Sequence, residues 1–521
     1  MTSLRAAIFA ALFVSNAGLS TPALAEDVTL TSRDGAIELS GTLLGWDGDF
    51  YRIETAYGVL SLDGSRVTCA GPACPPPGAP VSRFTLAGAG EMAQTLLPAL
   101  IEDFARAADY ALTETDTEAG TRQYRLADPA DGRAVAEITL RSSTTEDGVV
   151  DLITDQADFA LAMREVDDNE RLIATDAGLG DLTSPRQYRV LARDALVPVV
   201  HATNPVERFG LSDLAAIFAG EIDNWSELGG ADSPITLHLT DPRAGIGAAF
   251  ANAMMLESGK PLAPTLVVHS DVDTLGAAVA QDAGAIGVTT LSHIGETRAL
   301  ALTGSCGLAV AAEEVTIAAG DYPLTLPFYL YLPGRRLPKV AREMLAYLRA
   351  PAAQEVVRNA GFVDQRFTEI PLAVQGERLA NAIRAAGPEV SLGDLQRMVG
   401  HLSGKQRLSV SFRFEDGTTE LDAPSRAGVA TLAAALAEGA FEGRSLSFAG
   451  FSDGSGAAAA NLTLSERRAE TARAAVRAWT GAYDLPAANM EAAGFGEALP
   501  IACDDTPWGR QANRRVEIWV D

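Results

Sequence analysis

SLSFAGFSDGSGAAAANLTLSERRAETARAAV, residues 445–476, decides how the last part of the chain folds. SLSFAGF reads as a strand and the glycine-rich stretch after it as a loop. Over 463–480, Ala469, Ala472, Val476 and Trp479 recur at spacings of 3, 4 and 3, which puts them on one stripe of a helix. On the N-terminal side, LSVSFRF from 408 predicts a strand, and Val429, Leu432, Ala433 and Leu436 predict a helix over 425–438. On the C-terminal side, MEAAGF and RRVEIWV predict two more strands. Residues 405–521 are therefore expected to form an α+β domain.

Further out, 370–404 is polar and helix-favouring, interrupted by AAGPEVS, and reads as a helical linker. Strand and helix patterns alternate over 84–366: FTLAGAG is a strand and a turn, and Leu97, Leu100, Ile101 and Phe104 then share a helical face. Alternation of this length predicts an α/β domain, 81–369, with largely parallel sheets. In 26–70, period-2 alternation broken by DG and GDG predicts short antiparallel strands. This small all-β domain, 26–80, ends in the stiff CPPPGAP at 74–80.

A chain of 521 residues exceeds one core, in keeping with a multidomain reading. Residues 1–25 have the form of a signal peptide: Arg5, an apolar run from Ala6 to Val14, and Ala23-Leu24-Ala25 before Glu26. That run is shorter than the ~20 residues a membrane span needs, and no later stretch supplies one. Arg5 is the only charge removed with those residues, so a net charge of −27 becomes −28. Nucleic acids and anionic lipids are excluded as charge-driven partners, since both need clustered Lys and Arg. Four cysteines suit an oxidising compartment. Cys69 and Cys74 bracket a Gly- and Pro-containing turn and are expected to bridge. Cys306 and Cys503 then either pair, clamping two domains through a very long loop, or remain free thiols. The five histidines show no ligand spacing near a cysteine, so neither a metal nor a cofactor is expected.

The segments 450–476, GFGEALP (494–500) and NRRVEIWV (513–520) occur in the order and spacing of the OmpA-like peptidoglycan-binding family, which 405–521 resembles. The resemblance implies that Asp453 in the loop and Arg468 on the following helix grip the diaminopimelate of a peptidoglycan stem. It places Asn461 at the family's asparagine and Ser452 where a threonine is usual. The chemistry is consistent on its own terms. Diaminopimelate presents an ammonium and a carboxylate on one carbon, and a carboxylate beside a guanidinium complements that zwitterion. Taken singly, Asp453 could equally cap a turn and Arg468 be a solvated helix arginine; Arg467 reads as solvated. One of Arg514 and Arg515 joins the pocket, and the sequence leaves open which.

Residues 84–366 resemble the phosphate-binding proteins of ABC importers, the type II periplasmic binding proteins. The resemblance rests on AGAGEMAQTLLP (87–98), ADFALAMREV (157–166), FGLSDLAAIFAGEIDNWSELGG (209–230), DPRAGIGAAF (241–250) and GAIGVTT (284–290). It implies two lobes closing on a ligand, with Trp225 of NWSELGG packing in the core. The ligand loops depart from the family. The first reads Gly88-Ala89-Gly90-Glu91 where Ser and Thr are usual, the second Met163-Arg164 for Ser-Arg, and the third Ala244-Gly245-Ile246 for Ser-Gly-Thr. Arg243 adjoins the third loop, and Thr240 stands where the family has an arginine. Each hydroxyl missing from a buried phosphate site costs about 1–3 kcal/mol. Glu91 adds a carboxylate where an anion would go, unless it is simply a solvated first-turn acid.

The sequence therefore predicts an exported protein of the periplasm, associated with the cell wall and outer membrane. It would bind peptidoglycan non-covalently and present a domain for a small anion or other solute, with an envelope protein or transporter as a further partner. The alternative is a structural protein whose degenerate binding-protein domain contacts a protein and binds no solute. No nucleophile–base pair or HExxH motif suggests an enzyme.

Overall fold

Asp47 sets the first hairpin: its carboxylate accepts from the backbone N–H groups of Asp49 and Phe50, turning the chain at WDGDF. The hairpin belongs to a five-stranded sheet of order β4-β3-β2-β1-β5, formed by β1 (Val28–Ser32), β2 (Glu38–Trp46), β3 (Phe50–Thr55), β4 (Gly58–Asp63) and β5 (Val67–Ala70). All of its pairings are antiparallel, as the period-2 pattern predicts. Val28, Leu30 and Ile53 form its small core. A core this small gains from a covalent staple, and the Cys69–Cys74 disulfide supplies one.

This computed structural model describes residues 27–75, 81–118, 120–256, 258–387, 389–415, 418–481 and 489–521. The expected signal peptide, 1–25, and most of the proline-rich 74–80 lie outside them.

The second unit, Arg83–Asp521, contains the two-lobed domain and the C-terminal domain. The first lobe has β6 (Ser82–Ala89), β7 (Ala111–Glu118), β8 (Thr121–Ala127), β9 (Ala134–Ser143), β10 (Phe159–Ala162) and the first half of β11 (Tyr188–Val200). The second lobe has β12 (Arg208–Gly210), β13 (Thr236–Thr240), β14 (Val267–His269), β15 (Ala285–Thr290), β16 (Arg298–Ala299), β17 (Ala301–Thr303) and β18 (Ala309–Val310). β19 (Thr325–Tyr331) returns the chain to the first lobe. β11 belongs to both lobes: Tyr188 to Ala195 pair with β19, and Leu196 to Val200 pair with β15. The sheets are mixed rather than largely parallel. β6–β10, β12–β17, β13–β14 and β13–β15 are parallel, but the strands joining the lobes run antiparallel. Trp225 packs as expected, buried, with its indole N–H donated to the Gly284 carbonyl.

In the C-terminal domain, β20 (Glu369–Pro371), β21 (Gln406–Arg413), β22 (Ser445–Gly450), β23 (Asn489–Gly494) and β24 (Arg515–Val520) form a sheet of order β20-β21-β24-β22-β23. Helices Ala423–Ala437 and Ala458–Gly481 pack Val429, Leu432, Ala469, Ala472 and Val476 against Leu446, Phe448 and Ile518. Residues 370–404, read as a linker, are a second covering layer. Helices Gly376–Ala385 and Leu392–Leu402 bury Ala382, Met398 and Leu402 against Phe451, Phe495 and Trp519.

This domain is fixed to both lobes. At the first lobe the Tyr188 hydroxyl donates to the Ala423 carbonyl at 2.7 Å, and Ala423 sits in that lobe's apolar cluster. At the second, Cys306 and Cys503 are bridged, which resolves the alternative in favour of the pair, and the Ser305 N–H donates to Asp505. Between these contacts, buried Asp321 pairs with Arg407 at 2.7 Å and Arg413 at 3.2 Å.

Candidate functional site

The predicted site residues fall in two places: the cleft between the lobes and a buried polar cluster at the end of β22.

At the cleft, Gly88 is required by close packing, because a Cβ there would lie 2.2 Å from the Leu161 carbonyl oxygen of the neighbouring strand. The chain then enters the helical run that carries Glu91 in its first turn, with a π-helical stretch over Met92–Leu96. A matching π-helical stretch, Ala251–Leu256, follows the helix Gly245–Phe250 across the cleft. Between them lies a cavity of about 290 Å³, lined in part by Ala89, Thr145, Met163, Arg164, Gly245 and Asn252.

Glu91 crosses the cleft. Its Oε1 accepts the Ile246 backbone N–H at 3.0 Å, and a Cβ on Gly245 would lie 2.3 Å from that oxygen. Burial pushes its carboxyl pKa up, against the stabilising N–H groups of Glu91 and Ile246 and the His293 charge. Glu91 is thus not the solvated first-turn acid that was one of its two readings. Among the described residues its Oε2 and the Thr240 hydroxyl are buried without a hydrogen-bond partner.

The cations of the ligand loops are engaged elsewhere. Arg164 donates to both oxygens of Glu170 at 2.8 Å and to Glu146 at 3.0 Å. Arg243 is solvent-exposed and forked onto Asp241, so it serves a turn rather than the cleft. Met163 gives its backbone N–H to the Thr145 hydroxyl. Gly90 lies beside Ser142 and Gln94. Ala244 precedes the helix Gly245–Phe250, and Ile246 is buried within it.

In the C-terminal cluster, two glycines bring a helix onto the sheet. A Cβ on Gly450 would lie 2.1 Å from the Ser465 carbonyl oxygen, and one on Gly494 would lie 2.5 Å from the Glu466 nitrogen. Helix Ala458–Gly481 can therefore press against β22 and β23, which carries Arg468 to the strand end that bears Ser452 and Asp453. Asp453 Oδ2 pairs with Arg514 at 2.9 Å, and its Oδ1 accepts from the Ser455 N–H. Arg468 lies over the Phe414 ring at 5.3 Å and reaches the Thr418 carbonyl at 3.4 Å. Asn461 donates to Glu497 and to the Ser455 carbonyl. The Ser452 hydroxyl is buried with no hydrogen-bond partner among the described residues. Asp453 is 7% exposed and Arg468 2%.

Of the two arginines left open, Arg514 joins this cluster through Asp453. Arg515 is buried behind it, bonded to Glu517 and stacked over Phe451 at 4.5 Å. Two acids were missed, Glu497 and Asp504, the latter accepting the Gly454 N–H at 2.7 Å. Glu497 sits inside the GFGEALP segment and was legible as a neighbour of the site. Asp504 had no such signal.

Residues 76–355 match the family model described as the PBP superfamily domain, and 413–514 match the OmpA family. The chain is 30% identical to the phosphate-binding protein PstS of Bacillus subtilis over 173 residues, which is 32% of this chain and 55% of that protein. It is 44% identical to the outer-membrane lipoprotein YfiB of Pseudomonas aeruginosa over 71 residues, 14% of this chain and 40% of that one. It thus spans about half of the first relative's length and less of the second's. An ABC-type phosphate transport receptor from Vibrio cholerae aligns at a TM-score of 0.42 and 20% identity, covering 54% of this chain and 99% of that one.

Proposed function

This chain belongs to the PBP superfamily and carries an OmpA-family domain behind the binding-protein domain, and from that premise we propose that it is an exported envelope protein gripping peptidoglycan non-covalently. Diaminopimelate of the stem is its ligand, and the binding-protein domain is presented in the periplasm. The observation that carries this reading is the pairing of Asp453 with Arg514 at the strand end where helix Ala458–Gly481 delivers Arg468.

A zwitterion can replace an ion pair without leaving either charge alone. The diaminopimelate ammonium takes Asp453 from Arg514, and its carboxylate takes the guanidinium groups. Ser452 supplies a spare hydroxyl, and Asn461 a side-chain amide. Because Asp453 and Arg468 are nearly out of solvent, the ligand must first open the Asp453–Arg514 pair, which lowers its net affinity. A wall polymer repeats the ligand and compensates by avidity.

The test is co-sedimentation of the purified chain with insoluble peptidoglycan. Asp453→Ala and Arg468→Ala should each weaken pelleting roughly tenfold or more, as expected for lost charge-assisted hydrogen bonds. Exposed Arg467→Ala should leave it unchanged. Equal pelleting by all of these variants refutes the assignment.

For the binding-protein domain, the reading as a body that meets an envelope protein and takes up no anion is favoured by the position of Glu91 in its cleft.

A further inference from the structure

The cleft lies between two lobes that in this architecture swing about their connecting strands. Several contacts hold them here. Glu91 of the first lobe bonds the Ile246 N–H of the second, and the C-terminal domain is joined to the first lobe at Tyr188 and to the second by the Cys306–Cys503 disulfide. We infer that Glu91 is a built-in replacement for a bound oxyanion: its carboxylate closes the lobes on each other and excludes phosphate-like anions from the site.

Three observations support this. The carboxylate occupies the space above Gly245, so near that even a methyl group there would overlap it. It takes the backbone N–H that an anion at this loop would need. The loop cations Arg164 and Arg243 are already paired, with Glu170 and Glu146 and with Asp241, so neither is set aside for a second anion. The inference does not depend on the wall-binding reading, since its residues lie in the other domain.

Hydrogen exchange by mass spectrometry on the full chain, read on peptides covering 241–250, tests it together with calorimetry using inorganic phosphate. The parent chain should show slow exchange at Ile246 and no heat of phosphate binding. Glu91→Ala should speed that exchange roughly tenfold or more, and excess phosphate should slow it again by filling the vacated position. Gly245→Ala, whose new methyl group displaces the carboxylate, should also accelerate exchange, and it stands in if Glu91→Ala does not fold. The inference is overturned by micromolar phosphate binding to the parent chain. It is overturned equally by unchanged exchange in the variants, or by faster exchange in Glu91→Ala that phosphate does not reverse.

Discussion

The interlobe cleft and the C-terminal charge cluster both place acids against cations, but they differ in what holds the charges in place. In the C-terminal cluster, Asp453 lies just past the end of β22, Arg514 just before β24 and Arg468 on the helix packed against that sheet, so one domain sets their spacing without a ligand. In the cleft the groups stand on two bodies, and only something bridging both can bring them together. Here the bridge is a side chain, Glu91, rather than a solute. A site on one rigid domain can stay ready for its ligand. A site shared between moving bodies needs an occupant to stay closed, and sequence change can supply that occupant internally.

The largest expected effect concerns how firmly the lobes are tied to the C-terminal domain. The Cys306–Cys503 bridge has a sequence separation of 197, so replacing both with Ser should cost roughly 5 kcal/mol in the chain-entropy model. The Cys69–Cys74 bridge spans only 5 residues, and its loss should cost roughly 2 kcal/mol. Urea titrations of the two double-Ser variants check both values. Equal losses would mean that the long bridge adds no constraint between the domains.

Next comes the buried charge cluster at the same interface. Asp321→Ala would leave Arg413 without this carboxylate and Arg407 with Glu517 alone, a loss of about 3–5 kcal/mol in unfolding free energy read from urea titration. Burial alone would raise the Asp321 carboxyl pKa, yet Arg407, followed by Arg413, holds it below the usual carboxylate range. A depressed folded-state pKa contributes stability above the unfolded value of about 3.9, and that contribution is lost as pH falls through the folded value. The parent chain should therefore lose stability steeply below about pH 4, and Asp321→Asn should flatten that slope.

How much of this was legible in the sequence depended on how local each feature is. The C-terminal strands and helices followed from short-range periodicity, and the 15-residue spacing placed Arg468 on the helix beside the Asp453 loop. The layer at 370–404 was missed because its buried set is sparse: Ala382, Met398 and Leu402 sit among polar neighbours and face residues more than 45 positions away. The choice between Arg514 and Arg515 turned on where the last strand begins. Arg514 precedes β24 and reaches Asp453, whereas Arg515 is the strand's first residue and is buried against Glu517 and Phe451. Glu91 was harder still, because its partner lies 155 residues on, and local pattern could supply only the first-turn helix position.

The smallest expected effect separates two origins for the proposed exclusion of anions from the cleft: that its cations are already paired, or that its anion is already present. Glu170→Gln with Glu146→Gln would free most of Arg164, which lines the cavity. Arg164 is partly exposed, so stability should fall by no more than about 1 kcal/mol. Calorimetry should still show no phosphate binding, because Glu91 continues to hold the Ile246 N–H. Adding Glu91→Ala to that background should then give tighter phosphate binding than Glu91→Ala alone, since an unpaired guanidinium would face an empty position. If the double Gln variant gained phosphate binding with Glu91 in place, charge pairing alone would account for the silent cleft.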